Sequence, residues 1–125
     1  MRVLITGSRG WRDEPAIREA LAMFARNTDR PASAITVVHG DCPTGADRIA
    51  DRVARELGMR REPHPADPAG GAARFRDRNQ AMVNAGADLC LAFADRRTSG
   101  TGMCARMARA ARIPTVDYGV DTEAR

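Results

Sequence analysis

Three short stretches of this chain combine glycine with hydroxyl, amide or charged side chains in the way a phosphate group requires. The first is Gly7-Ser8-Arg9-Gly10-Trp11. Its two glycines permit close backbone approach, Ser8 offers a hydroxyl, and Arg9 offers a planar cation. Trp11, the only tryptophan, either stacks on a base or covers a packing edge. The second stretch is His39-Gly40-Asp41-Cys42-Pro43-Thr44-Gly45-Ala46-Asp47. Thr44 and Gly45 stand where a helix begins and its amide groups point outward, a favourable place for an anion. Asp47, in the first turn of that helix, either complements the helix dipole or accepts hydrogen bonds from ribose hydroxyls. His39 is either a structural histidine at a strand end or a base. The third stretch, Thr98-Ser99-Gly100-Thr101-Gly102, precedes another helix, where Ser99, Gly100 and Thr101 suit both a cap and a phosphate site.

Two further places bear on chemistry. Asp67 lies in a loop rich in proline and glycine, where an acid serves as a cap, a hydroxyl acceptor or a general acid/base group. Asn79 is four residues from both Phe75 and Val83 and so shares a helical face expected to be buried. A buried amide requires partners, supplied either by a neighbouring loop backbone or by a ligand held jointly with Arg78.

Composition removes several chemistries. All 20 basic residues are arginine, which excludes a P-loop lysine and a Schiff-base lysine. Gly7 and Gly10 lack the G-x-G-x-x-G spacing of a dinucleotide site. Cys42, Cys90 and Cys104 are odd in number and lack a C-x-x-C spacing, against both a disulfide framework and a zinc site. No metal and no cofactor is therefore expected. The net charge of +4 favours phosphate-bearing partners. The first residues run straight into a strand and no apolar stretch approaches the length of a membrane span, so a soluble cytoplasmic protein is expected, with no membrane partner.

The elements that must position these loops follow from periodicity. Residues 2–6, 35–38, 60–64, 87–94 and 114–118 read as strands, the third as an edge strand because of its prolines and polarity, the fourth as the middle of the sheet because it is the most continuously apolar. Between them run four helices. The first has Asp13 as its N-cap and buries Ile17, Ala20, Leu21 and Phe24. The second buries Ala46, Ile49, Ala50, Val53 and Leu57. The third spans 73–85 with Phe75, Met82 and Val83 inward. The fourth turns Met103, Met107, Ala110 and Ala111 inward. Alternating strands and helices over 125 residues imply one α/β domain, Rossmann-like and doubly wound, with a mostly parallel five-stranded sheet over residues 1–118 and a tail at 119–125. Ligands of such sheets bind beyond the carboxyl ends of the strands. The three loops lie at that end.

The series Gly7-Ser8-Arg9, His39-Gly40 with Gly45-Ala46-Asp47, Pro65-Ala66-Asp67, Arg78-Asn79 and Ser99-Gly100-Thr101 resembles the SLOG superfamily in its YspA-like, cpYpsA-related branch. The resemblance implies a Rossmann-like fold that binds, senses or processes a nucleotide or nucleotide-derived small molecule, in some members within bacterial or phage conflict systems, and by analogy a homodimer. The related LOG phosphoribohydrolases carry P-G-G-x-G-T-x-x-E. Here Cys104 stands where the glutamate would be, and Arg96-Arg97-Thr98 replaces the first three residues. Were the chain an N-glycosidase or nucleoside-monophosphate phosphoribohydrolase, Asp47 or Asp67 would have to supply the catalytic carboxylate. Binding of single-stranded nucleic acid is a third expectation, disfavoured by an aromatic content of 4%, since stacking platforms need several exposed rings.

Overall fold

A computed structural model describes residues 1–94 and 100–118 of the chain. Its five strands, β1 (Arg2–Gly7), β2 (Thr36–His39), β3 (Arg60–Pro63), β4 (Leu89–Phe93) and β5 (Thr115–Tyr118), form one sheet in the order β3-β2-β1-β4-β5. Every adjacent pair is parallel. The connections are α1 (Glu14–Thr28), α2 (Gly45–Glu56), α3 (Arg74–Asn84) and α4 (Gly100–Ala110), with short 3-10 turns at Ala32–Ala34 and Pro68–Ala73. The expected α/β, doubly wound architecture is thus present, and β3 lies at an edge as its prolines required.

The alternation of side chains along β1 divides the core in two. Val3 and Ile5 pack with Ile17, Leu21 and Phe24 of α1 and with Ile49, Ala50 and Val53 of α2. Leu4, between them, faces the opposite layer with Met82 and Val83 of α3 and Cys104 and Ala108 of α4. β4 repeats the pattern, Leu91 and Phe93 on the first face and Cys90 on the second. A strand buried on both faces favours apolar residues at every position, which is why residues 3–5 of β1 and 89–93 of β4 are unbroken apolar runs.

Two expectations need correction. The middle strand is β1, with β4 between it and β5. Both strands are covered on both faces, so continuity of apolar residues identifies an interior strand without ranking interior positions. On α4 the buried face is Cys104, Ala105 and Ala108, with Met107 packed against its edge and Ala110 and Ala111 exposed. The helix ends at Ala110, and the chain reverses through Arg112 at φ 64°, where the Ile113 amide donates back to the Ala108 carbonyl at 2.9 Å. That left-handed closure turns Ile113 into the core instead of the two alanines.

α1 begins as expected. Asp13 Oδ1 accepts from the Ala16 amide at 3.1 Å, and proline occupies the first turn. Among the described residues no helix is long and apolar enough to cross a membrane.

Candidate functional site

At the carboxyl ends of β1 and β2 the chain opens into a cleft of about 700 Å³. The loop after β1 contributes Gly7, Arg9 and Gly10, the loop after β2 contributes residues 40–43, and Asp47 of α2 closes the back. The opposite wall is α3, through Arg74, Phe75, Arg78, Asn79 and Met82, with Met103 of α4 beside it. This is the place where the strand order reverses, since the chain leaves β1 for β2 on one side and reaches β4 on the other, as expected for a ligand crevice of a parallel sheet.

Tight backbone packing builds the cleft. Gly7 lies so close to Ala46 and the Phe93 backbone that a Cβ would collide with both. The Ser8 amide donates to the Phe93 carbonyl at 2.9 Å, and the Ser8 carbonyl accepts from the Ala46 amide at 3.1 Å. The loop after β1 is thereby fixed between β4 and the start of α2. Gly40 is equally confined, for a Cβ there would enter the Arg78 guanidinium and press on Asp47 Oδ2.

The second loop is held by Asp47. Its Oδ2 accepts from the Gly40 amide at 3.1 Å and the Cys42 amide at 3.3 Å. Burial raises this carboxyl above the usual aspartate range, against the lowering influence of His39, the Cys42 amide, Arg78 and the Gly40 amide. Asp41 turns the loop through a left-handed φ of 58° and donates its amide to His39 Nδ1 at 3.0 Å. An amide can only donate, so His39 Nδ1 is an acceptor and Nε2 carries the hydrogen. Nε2 lies 2.9 Å from Asp51 Oδ1. His39, 2% exposed, thus fastens the loop to α2.

On the α3 wall, Arg78 Nη1 donates to the Gly40 carbonyl at 2.5 Å and Nε to Asn79 Oδ1 at 2.8 Å. Three guanidiniums surround the Phe75 ring, with Arg74 at 4.5 Å, Arg9 at 5.5 Å and Arg78 at 5.7 Å from its centroid. The ring face attracts cations and orients their planes without consuming their N–H groups. None of the three has a carboxylate within ion-pair distance among the described residues, whereas Arg2, Arg18, Arg52, Arg61 and Arg109 all do.

The residues anticipated from sequence are distributed unevenly over this geometry. Gly7, Arg9, Gly40, Asp47, Arg78 and Asn79 line the cleft. Ser8 is buried behind it, Gly45 abuts the Ser8 and Arg9 backbone, and Thr44 precedes α2 without a side-chain cap bond. Trp11 packs edge-on against Phe93 at 5.5 Å and donates Nε1–H to the Asp13 carbonyl. Asp67 Oδ1 accepts from the Ala69 amide at 2.9 Å, capping the Pro68–Ala73 turn, while its neighbours Pro65, Ala66 and Pro68 line the cleft. Gly100 and Thr101 open α4; Ser99, residues 96–98 and the tail at 119–125 lie outside the described residues. Cys104 is fully buried in the second core layer, and burial pushes its thiol pKa up. Sequence reasoning missed Arg74 and placed Phe75 in the core. The signal was present as two superposed i,i+4 pairs, Arg74 with Arg78 and Phe75 with Asn79, which put cations, ring and amide on adjoining stripes of one helix.

No solved structure matches the chain. The Gene 61 protein of Mycobacterium phage D29 is 43% identical over 126 residues, an alignment covering 94% of this chain and 96% of that protein. A family model described as YspA, cpYpsA-related SLOG family matches residues 1–70, the part that carries the loops after β1 and β2. The chain therefore belongs to the YspA, cpYpsA-related SLOG family.

Proposed function

We propose that the cleft binds a nucleotide or nucleotide-derived small molecule through its phosphate, which the three guanidiniums around Phe75 hold. The observation that carries this reading is their lack of carboxylate partners among the described residues. Arginine presents several N–H groups in one plane, a geometry matched to phosphate oxygens, and charge-assisted bonds of this kind are about twice as strong as neutral ones. Family membership supports the same ligand class.

The two carboxylates that glycosidic hydrolysis would draw on are otherwise engaged, Asp47 with the Gly40 and Cys42 amides and Asp67 with the Ala69 amide. They favour binding over hydrolysis. A stacking row for single-stranded nucleic acid is missing among the described residues, since Trp11 and Tyr118 both pack on buried Phe93 and Phe75 alone of the aromatic residues lines the cleft.

Titration calorimetry with AMP and adenosine tests the proposal. AMP binds and adenosine binds at least about tenfold more weakly, a difference of about 1.4 kcal/mol. The double variant Arg9→Ala/Arg74→Ala weakens AMP by a similar factor and leaves adenosine unaffected. Equal affinities for AMP and adenosine in the wild-type protein would refute the phosphate assignment.

A further inference from the structure

The cleft contains a buried polar group that, among the described residues, uses its acceptor oxygen but neither of its donors. Asn79 is 6% exposed and lines the cleft. Its Oδ1 accepts from Arg78 Nε at 2.8 Å. A guanidinium nitrogen has no acceptor capacity, so the oxygen of the amide must face Arg78 and the amide cannot turn over without losing that bond. Nδ2, with two N–H donors, then faces away from Arg78, and among the described residues it has no acceptor. Buried donors in native proteins have partners, and one left without them in a ligand cleft marks where a ligand acceptor belongs.

Position along α3 indicates which part of a ligand that is. Arg74 and Phe75 form the first turn, Arg78 and Asn79 the second, and Met82 follows. Arg9 is exposed and Arg74 and Arg78 are half-buried, whereas Met82 is 2% exposed. The wall therefore passes from cations at the mouth, through one amide, to an apolar floor completed by Ile5 and Met103. From Arg74 to Met82 the helix rises on the order of 12 Å, the length scale of a nucleotide from phosphate to base. A phosphate stays with the guanidiniums in the wetter half, and the flat, less polar base lies at the depth of Asn79.

We propose that Asn79 reads the base, donating from Nδ2 to a carbonyl oxygen, so that the cleft selects nucleotides whose base carries an oxo group at that edge over those carrying an amino group. This rests on the nucleotide reading above. An amino-bearing edge would set donor against donor, and Arg78 prevents the amide from turning its oxygen toward the ligand. A site built to satisfy one hydrogen-bonding pattern rejects the analogue that lacks it, because the buried group is then left unpaired.

The experiment compares IMP, AMP and ribose 5-phosphate by titration calorimetry on the wild-type protein and on Asn79→Asp and Asn79→Leu. Wild-type protein binds IMP at least about tenfold more tightly than AMP. Asn79→Asp keeps an acceptor for Arg78 but loses the donors, and it brings the IMP-to-AMP ratio to one or below. The ratio is the readout, because the added charge weakens every phosphate alike. Asn79→Leu, which adds no charge, also abolishes the ratio, whatever loss of the Arg78 acceptor does to the three affinities together. A wild-type ratio within twofold of one, or a ratio unchanged in both variants, overturns the assignment of Asn79 and leaves the phosphate reading standing if ribose 5-phosphate still binds. An IMP-to-AMP ratio that survives in Asn79→Leu also overturns it, however far the three affinities fall together. Binding by none of the three overturns both readings.

Discussion

At the scale of single residues the site depends on a few side chains that each hold two things at once. Arg78 ties α3 to the Gly40 carbonyl and fixes the Asn79 amide. Asp47 gathers two amides of the same loop. The cysteines show how strongly burial sets chemistry here. Cys90 and Cys104 are fully buried, and burial pushes the Cys90 thiol up to about 12 and raises that of Cys104 as well. The thiolate is the reactive species, so both are inert in the folded protein. Cys42 is half-buried at the rim of the cleft. Maleimide labelling followed by mass spectrometry is accordingly expected to give one adduct per native chain, at Cys42, and three after denaturation, with the Cys42 adduct slowed by saturating AMP. Native labelling of Cys90 or Cys104 would show that the second core layer opens readily.

Elements place these side chains, and element boundaries were largely legible in the sequence. Asp13 before Glu14-Pro15 specified the start of α1, and the cap bond to Ala16 is present. Replacing an aspartate cap by alanine removes the acceptor for an otherwise unpaired helix amide, at about 1 kcal/mol. Asp13→Ala is therefore expected to lower the unfolding free energy by about that amount in urea titration with no change in nucleotide affinity, because Asp13 lies outside the cleft lining. The strands and the buried position of Asn79 were legible for the same reason, since periods of two and of 3.6 residues record which side faces the core. Phe75 and Trp11 were not. An aromatic residue on an apolar stripe reads as core whether the stripe ends in packed protein or at a cleft, and Phe75 lies where it ends. Trp11, offered as a stacking surface or a packing edge, took the second role against Phe93. Ala110 and Ala111 at the end of α4 failed differently, for the helix's left-handed stop at Arg112, not its composition, decides which residues there are covered.

For the whole molecule, the all-parallel sheet opens its cleft at the carboxyl ends of β1 and β2 and leaves stability to contacts between layers and across strands. One such contact joins the central strand to the edge. Arg2, at the start of β1, holds both oxygens of Glu62 on β3, at 2.6 and 2.9 Å, and donates Nε to the Gly86 carbonyl beyond α3. His64 Nε2 lies 2.7 Å from the same carboxylate. Arg2 first and His64 second hold the Glu62 carboxyl down, from an ordinary 4.5 to about 2. A group whose folded pKa is depressed contributes stability that is complete above its unfolded pKa and disappears as pH falls through the folded value, because the unfolded chain takes up the proton first. The window here runs from about 4.5 down to about 2. Glu62 keeps 35% side-chain exposure, so solvent screens the pair and its contribution is modest. Glu62→Gln is expected to unfold at lower urea than the wild-type protein at pH 7, with the gap narrowing below about pH 4.5 and closing near pH 2. Asp47 works in the opposite sense, since burial raises its carboxyl and the folded state takes up that proton before the unfolded chain does, adding stability as pH falls. The two variants of the comparison share Asp47, so it cancels in the difference between them. A gap between wild type and Glu62→Gln that is constant from pH 7 to pH 3 would mean that the Arg2–Glu62–His64 cluster acts through shape and packing, not through charge.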